Sequence, residues 1–367
     1  MFLRWVADIV VFLVILRFCE LSMPQIQLVS KPAEADFILG VDTSNLAYRS
    51  AFAHDTLYTS DGRKSGHVFG SIRSLMAVLQ NDLEPGKWCL CFCYDGLNAK
   101  QARQTKVPSY KSKRDPSRYN PIPEVEQVLR LIPGLHIKQD GKEGDDALAW
   151  VTNKVSPKPV VLLTGDKDLW ALRSDRVKVL SPNLKRYVTD EDVVEHYGVF
   201  CGQNIYLCKS LFGDSSDDIV GIPRLPKKQV RPLIDVLAQD RVRVTIDDLL
   251  AAIELTRPLE MSEKTRVKIL SDKERLRANY SIILPDLENW IKESVVHVPT
   301  TWPTIEGASL NRVAFENALR YYECNSLMQY VPYFMGDLIP INEKKGPTAS
   351  LKNYEGYLRE EAIKAFS

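Results

Sequence analysis

The chain has 367 residues, a formal net charge of +1, 45% hydrophobic and 26% charged residues. That is ordinary for a globular protein and long enough for two domains or one enlarged domain. The balance excludes a uniformly basic nucleic-acid binder, but it leaves room for an acidic site beside a basic track.

The N-terminus is apolar but interrupted. Arg4, Asp8 and Arg17 leave only residues 9–16 unbroken, too short to span a bilayer, and no small-residue cleavage site follows. Residues 1–30 therefore read as an extension outside the fold, with Met23 as the expected start. Residues 37–41 form a short apolar strand ending in Asp42, after which Ser44 or Asn45 can cap a helix. Ile72, Leu75, Met76, Leu79 and Leu83 recur at helical spacing. Residues 88–94 form a third element, a strand ending in Asp95. Its Cys89, Cys91 and Cys93 share one face as small buried hydrophobes, and the odd total of 7 cysteines without a C-x-x-C pair fits a reducing compartment.

Residues 100–120 are polar and basic, with Tyr110 and Tyr119 interleaved; they suit either a solvated loop or phosphate neutralisation with base stacking. A helix over residues 121–131 and a short strand over 135–138 lead into Glu143, Asp145 and Asp146 at a helix start. Residues 160–163 are a buried strand of the kind found in parallel sheets, and the turn after it carries Asp166 and Asp168. Taken alone, Asp166 is equally a helix cap. A capping box at Thr189 starts another helix, and a turn with Asp214, Asp217 and Asp218 precedes a proline-punctuated hairpin and a helix over residues 230–237. Strands and helices alternate up to about residue 200, which indicates a parallel α/β domain; residues 246–255, 262–283 and 310–322 read as helical.

Collected, the carboxylates at strand ends and helix starts are Asp42, Asp95, Glu143, Asp145, Asp146, Asp166, Asp168, Asp214 and Asp217. Like charges that converge need raised pKa values or bound cations, and hard oxygen donors without a His or Cys cluster favour Mg2+ or Mn2+. Two such ions suit in-line displacement at phosphorus.

The motifs V-D-T-S-N-L-A-Y-R at Asp42, Y-K-S-K-R at Tyr110, E-G-D-D at Glu143, T-G-D-K-D at Thr164 and G-D-S-S-D-D-I-V-G-I-P at Gly213 occur in order. Together they resemble the 5′ nuclease family: flap endonucleases, bacteriophage 5′-3′ exonucleases and the 5′ nuclease domain of DNA polymerase I. The resemblance covers about residues 36–235. It implies an α/β fold with a PIN-like, mostly parallel central sheet, helices on both faces, a helical gateway, a helix-three-turn-helix element and a helical C-terminal region. The expected division is residues 31–200 for the catalytic domain, 201–290 for the helix-three-turn-helix and following helices, and 291–367 for a helical tail region.

The resemblance also assigns roles. Asp42, Asp95, Glu143 and Asp145 match a first metal site, with Asp146 nearby as a catalytic group, and Asp166, Asp168, Asp214 and Asp217 match a second. Tyr110 is expected to stack on a base, Lys111 and Arg114 to contact the scissile phosphate, and Arg49 and Arg103 to bind further phosphates. Where the family carries Gly-hydrophobic-Gly in its hairpin, this chain has Arg224-Leu225-Pro226; proline removes an amide donor, which argues against a K+-mediated duplex contact. Arg224, Lys227 and Lys228 are either direct phosphate contacts or a plain exposed turn.

The implied function is a two-metal, structure-specific nuclease acting on DNA with a 5′ flap, nick or free 5′ end, with RNA–DNA hybrids and primer removal in the same class. It is expected to be a monomer without membrane contact, working beside replication proteins in the cytoplasm of a bacterium or a phage-infected host. A PIN-type ribonuclease shares the acidic strand ends but needs neither the gateway nor the Gly213 motif. A non-catalytic DNA-junction binder would have lost metal-ligand carboxylates, and here the set is intact.

Overall fold

The computed structural model describes residues 25–341, except 116, 156, 200, 239–242, 257–260, 299–303 and 306–307. Met23 and residues 1–24 lie outside the described residues. The sheet is built from β1 (Gln25–Val29), β2 (Phe37–Asp42), β3 (Gly86–Cys93), β4 (Gly134–Ile137), β5 (Val160–Leu163), β6 (Val177–Ser181), β7 (Arg186–Tyr187) and β8 (Val295–Val298). A small separate hairpin, β9 (Thr304–Ile305) with β10 (Ala308–Ser309), precedes the last strand of the sheet, β11 (Ile339–Pro340).

Its main path runs β11-β1-β3-β2-β5-β6-β7, with β4 on β3 and β8 on β4. The pairs around β2, β3 and β5 are parallel; β7, β8 and β11 join antiparallel at the margins.

The helices are α1 (Thr43–Ala53), α2 (Gly66–Asn81), α3 (Ala99–Gln104), α4 (Ile122–Leu129), α5 (Gly144–Lys154), α6 (Asp190–Tyr197) and α7 (Ile205–Phe212). They are followed by α8 (Lys227–Ala238), α9 (Ile246–Thr256), α10 (Glu263–Ser271), α11 (Lys273–Ile283), α12 (Leu310–Tyr321) and α13 (Val331–Phe334).

Every residue of β2 is buried, because the sheet is covered on both faces. Side-chain alternation sorts the strands between two cores. Ile38, Cys89, Cys91 and Cys93 face one core together with α5, α7 and the helices that follow. Phe37, Leu39, Val41, Trp88, Leu90 and Phe92 face the other, against α2, α4 and α12. The first core contains sheet residues such as Val160 and helical residues such as Ile253 and Tyr280, so the helices after residue 200 share one continuous core with the sheet. Gly40 allows α5 to lie close against the sheet: a methyl group there would lie 2.8 Å from Leu162 and 3.1 Å from Leu148 of α5.

One expectation is corrected and another is refined. Residues 25–29, read as extension, are strand β1: Ile26 and Leu28 alternate into the core while β3 and β11 satisfy its backbone. The C-terminal region is not purely helical, since β8 covers the free edge of β4 and β11 covers that of β1, both margins that a parallel sheet leaves unpaired.

Candidate metal centre and nucleic-acid interface

Register brings the strand-end acids to one end of the sheet. Asp42 pairs with Cys93 on β3, and its predecessor Val41 pairs with Leu163 on β5, so Asp95 and Asp166 emerge beside it. Ligands bind at this carboxyl end in open parallel sheets. Asp42 also caps α1: its Oδ1 accepts from the Asn45 amide at 2.9 Å, and Oδ2 accepts from the Thr164 hydroxyl at 2.7 Å. The chain passes from strand to helix without a linker, which is why Asp42 itself, rather than Ser44 or Asn45, is the cap. Ser44 instead donates to Asp95 at 2.7 Å, and the other Asp95 oxygen accepts from the Gly144 amide at 2.7 Å.

The charges are poorly tolerated where they stand. Burial, then the neighbouring Asp166 and Asp95 charges, push Asp42 up to about 7. Burial and the charges of Asp166, Asp42 and Glu143 raise Asp145 well above the carboxylate range. Burial alone would raise Glu143 too, but Arg103 and Lys111 hold it below its ordinary value. Asp166 joins the two parts of the site: its Oδ1 accepts from the Asp168 amide at 2.8 Å, a partial capping role, while its charge acts on Asp42, Asp145 and Asp168.

The second part gathers around α7 and the turn after it. Carboxylate oxygens of Asp168, Asp214 and Asp217 all lie within 4.8 Å of one another. The turn is held by the Asp214–Ile219 bridge, and Gly221 is packed so tightly that a methyl group would lie 2.2 Å from the Gly213 nitrogen. Lys209 was not singled out from the sequence. Its ammonium forms ion pairs with both Asp168 and Asp214. The signal was a lone cation inside the apolar helix I-Y-L-C-K-S-L-F, where lysine is rarely buried unless paired. Tyr197 donates to Asp168 at 3.4 Å.

This donor set fits divalent cations: oxygen ligands from separate elements, raised pKa values at Asp42 and Asp145, and an ammonium bridging two of the acids. Asp42, Asp95, Glu143 and Asp145 would hold cations at one side and Asp168, Asp214 and Asp217 at the other, with Asp166, expected in the second set, placed between the two.

The gateway has one short helix, α3, and otherwise turns. Lys111 sits at φ +48°, donates to Glu143 at 2.9 and 3.0 Å, and ties its amide to the Asp217 carbonyl at 2.8 Å. Arg114 donates to Asp217 at 2.9 Å.

Other expected roles meet obstacles. Tyr110 is 1% exposed and its hydroxyl donates to Glu143, so its ring face is closed to a base; Tyr119 of the same segment is exposed. Asp146 serves as a cap and counterion: Oδ2 accepts from the Glu143 amide and Oδ1 accepts from Arg103 and the Asp286 amide. Arg103 is consumed by that pair and by the Ile282 carbonyl at 2.7 Å. Arg49 donates to Asn183 and the Pro182 carbonyl, lining a separate cavity of about 230 Å3.

A cleft of about 590 Å3 runs over the second acidic cluster, from Arg114 past Asp168 and Lys209 to Lys227 and Arg231. Beyond it, Arg224 (φ +52°), Lys227 and Lys228 are exposed on the hairpin, whose Pro223 carbonyl accepts from Lys268 at 3.1 Å. Among the described residues, no helix is long and apolar enough to cross a membrane.

Residues 37–198 match the family model described as 5'-3' exonuclease, N-terminal resolvase-like domain. Over these residues the chain is similar to the 5′ nuclease family. Among curated relatives, a thermostable DNA polymerase I of Thermus thermophilus is 29% identical over 250 residues, 67% of this chain and 28% of that protein. A 5'-3' exonuclease of Buchnera aphidicola is 28% identical over 193 residues, covering 51% of this chain and 66% of the relative. One of Aquifex aeolicus is 31% identical over 188 residues, covering 50% and 63%. The chain thus spans under a third of the Thermus polymerase and about two thirds of the stand-alone exonucleases.

The 5′ nuclease fold is also seen in a solved structure of T5 5'-exonuclease with divalent metal ions (zinc) bound: TM-score 0.52, 17% identity, 78% of this chain and 99% of the other. At that identity the likeness is one of fold.

Proposed function

We propose that this protein is a divalent-metal-dependent, structure-specific 5′ nuclease that hydrolyses phosphodiester bonds near 5′ ends or branch points of DNA, using Mg2+ or Mn2+ in two sites. One observation carries the reading: acids from β2, β3, α5, the β5 turn and the α7 turn converge, and Lys111 and Arg114 of the gateway reach the same carboxylates.

When bound, such ions activate a water nucleophile and stabilise the leaving oxygen. The chain's own residues do the rest. Lys111 and Arg114 present cationic donors at the site entrance, where a phosphodiester would exchange with Glu143 and Asp217 as their partner. Thr164 and Ser44 orient Asp42 and Asp95 by direct hydrogen bonds. Lys209 holds Asp168 and Asp214 together. Arg224, Lys227 and Lys228 give the duplex arm a backbone contact that does not depend on K+.

The test is cleavage of 5′-labelled flap, nicked and RNA–DNA hybrid substrates with Mg2+ or with chelator. Cutting near the branch is expected with Mg2+ only, lost in Asp166→Ala and Asp168→Ala while DNA binding survives. Robust cutting in chelator, or by the double variant, overturns the two-metal reading.

A further inference from the structure

Tyr206 of α7 is the polar group near the site that none of these roles uses. It is 5% exposed, and its hydroxyl has no hydrogen-bond partner among the described residues. Buried hydroxyls are seldom left so, because the group gave up water to enter the interior. Tyr206 lines a small cavity whose wall also includes Asp145, Asp168, Asp217 and Lys209. The cavity measures about 20 Å3. A void needs roughly 10–15 Å3 on this measure, with two to four polar partners, to hold one water, so this one has room and partners for a single molecule. Burial, followed by the charges of Asp145 and Asp168, raises the phenol well above its ordinary pKa, which keeps it a proton donor.

We propose that Tyr206 is a positioning residue for the metal centre: its hydroxyl donates to one water in this cavity, and that water donates to the carboxylates of Asp145 and Asp168. The two acids come from different elements, α5 and the turn after β5, and both face the charge of Asp166. Lys209 steadies Asp168 by adding a positive charge, which also competes with a cation. A neutral phenol–water link orients both carboxylates without that competition, as outer-shell partners of ligands do. The inference rests on the cation-binding reading above.

The experiment is Mn2+ binding without DNA, by calorimetry and by paramagnetic resonance, for the full chain and for Tyr206→Phe, with thermal melts of both in EDTA. Phenylalanine keeps the ring in the core that Tyr206 shares with Leu207 and Leu211. The expected result is Mn2+ binding about 10-fold weaker in the variant, with a melting temperature in EDTA unchanged or lower. A high-resolution crystal structure should show one ordered water within hydrogen-bond distance of Tyr206 Oη. Equal Mn2+ affinity with a higher melting temperature for the variant would mean an unpartnered hydroxyl and nothing more, and a dry cavity likewise overturns the link. If the unmodified chain binds no Mn2+, the metal reading falls and this inference with it. That outcome is distinct from the first, in which binding is normal and only Tyr206 is idle.

Discussion

Lys111 holds the Glu143 carboxylate at 2.9 and 3.0 Å from a residue whose own backbone is left-handed, at φ +48°. For a lysine that conformation is uncommon, and it is maintained by the amide bond to the Asp217 carbonyl. The gateway is thus pinned to both halves of the acidic site by one residue. Lys111→Ala is expected to lower the single-turnover cleavage rate by about 100-fold or more, the cost of losing one preorganised electrostatic group. DNA affinity should change much less. Equal losses in binding and rate would place Lys111 in binding alone.

Asp146 leads to a prediction about stability. It is 2% exposed and joins the Glu143 amide, Arg103 and the Asp286 amide. Asp146→Ala should destabilise the fold by about 1–3 kcal/mol, because the Glu143 and Asp286 amides lose their acceptor while Arg103 keeps its pair with Glu143. Urea denaturation in EDTA measures this. A variant that unfolds at the same urea concentration as the parent, yet no longer binds Mn2+, would restore Asp146 to the metal centre.

His136 sets an acid limit that owes nothing to the metal site. It is 1% exposed, with Nε2 on the Ile132 carbonyl at 2.9 Å and Nδ1 on the Tyr94 hydroxyl at 2.9 Å. The carbonyl accepts only, so the neutral ring donates from Nε2 and accepts the tyrosine proton at Nδ1. Burial depresses its pKa to about 4, from 6.5. The unfolded chain therefore takes up this proton before the folded one. The stability concerned is fully present above pH 6.5 and is lost as pH falls toward 4, up to about 3 kcal/mol. Melting temperatures across that window should fall less steeply in His136→Gln. Parallel curves would remove His136 from the account.

The hairpin prediction concerns salt. If Arg224, Lys227 and Lys228 neutralise duplex phosphates, their combined replacement by alanine should flatten the slope of log affinity against log salt by about 2–3. Exchanging K+ for Na+ at constant ionic strength should leave duplex affinity unchanged. A slope identical to the parent's would leave a plain exposed turn.

Much of the site was legible because parallel strands advertise their ends. An apolar run such as V-V-L-L stops where the chain leaves the sheet, and the acid after it must lie at the carboxyl edge. What pattern could not separate is function from capping when both use the same residue type. Asp145 and Asp146 are adjacent in the first turn of α5, yet one faces the charges of Asp166 and Asp42 while the other closes the capping box. Nor could a basic, aromatic-rich segment reveal that Tyr110 turns inward, because its hydroxyl partner, Glu143, is 33 residues away. Lys209 was visible only as an anomaly, and β1 was lost among the apolar residues that precede it. Both depend on long-range pairing, to which local periodicity is blind.

The β1–β11 pairing has a mechanical meaning. Gln25 lies opposite Pro340 and Ile26 opposite Ile339, so the two short strands end side by side at the sheet margin. Force applied through those neighbouring points would peel the ladder one bridge at a time, at low load. Chain pulled away from this clasp would be drawn off the flank of the sheet first, while the parallel β2–β5 pair that aims Asp42 and Asp166 lies further along the sheet from the load.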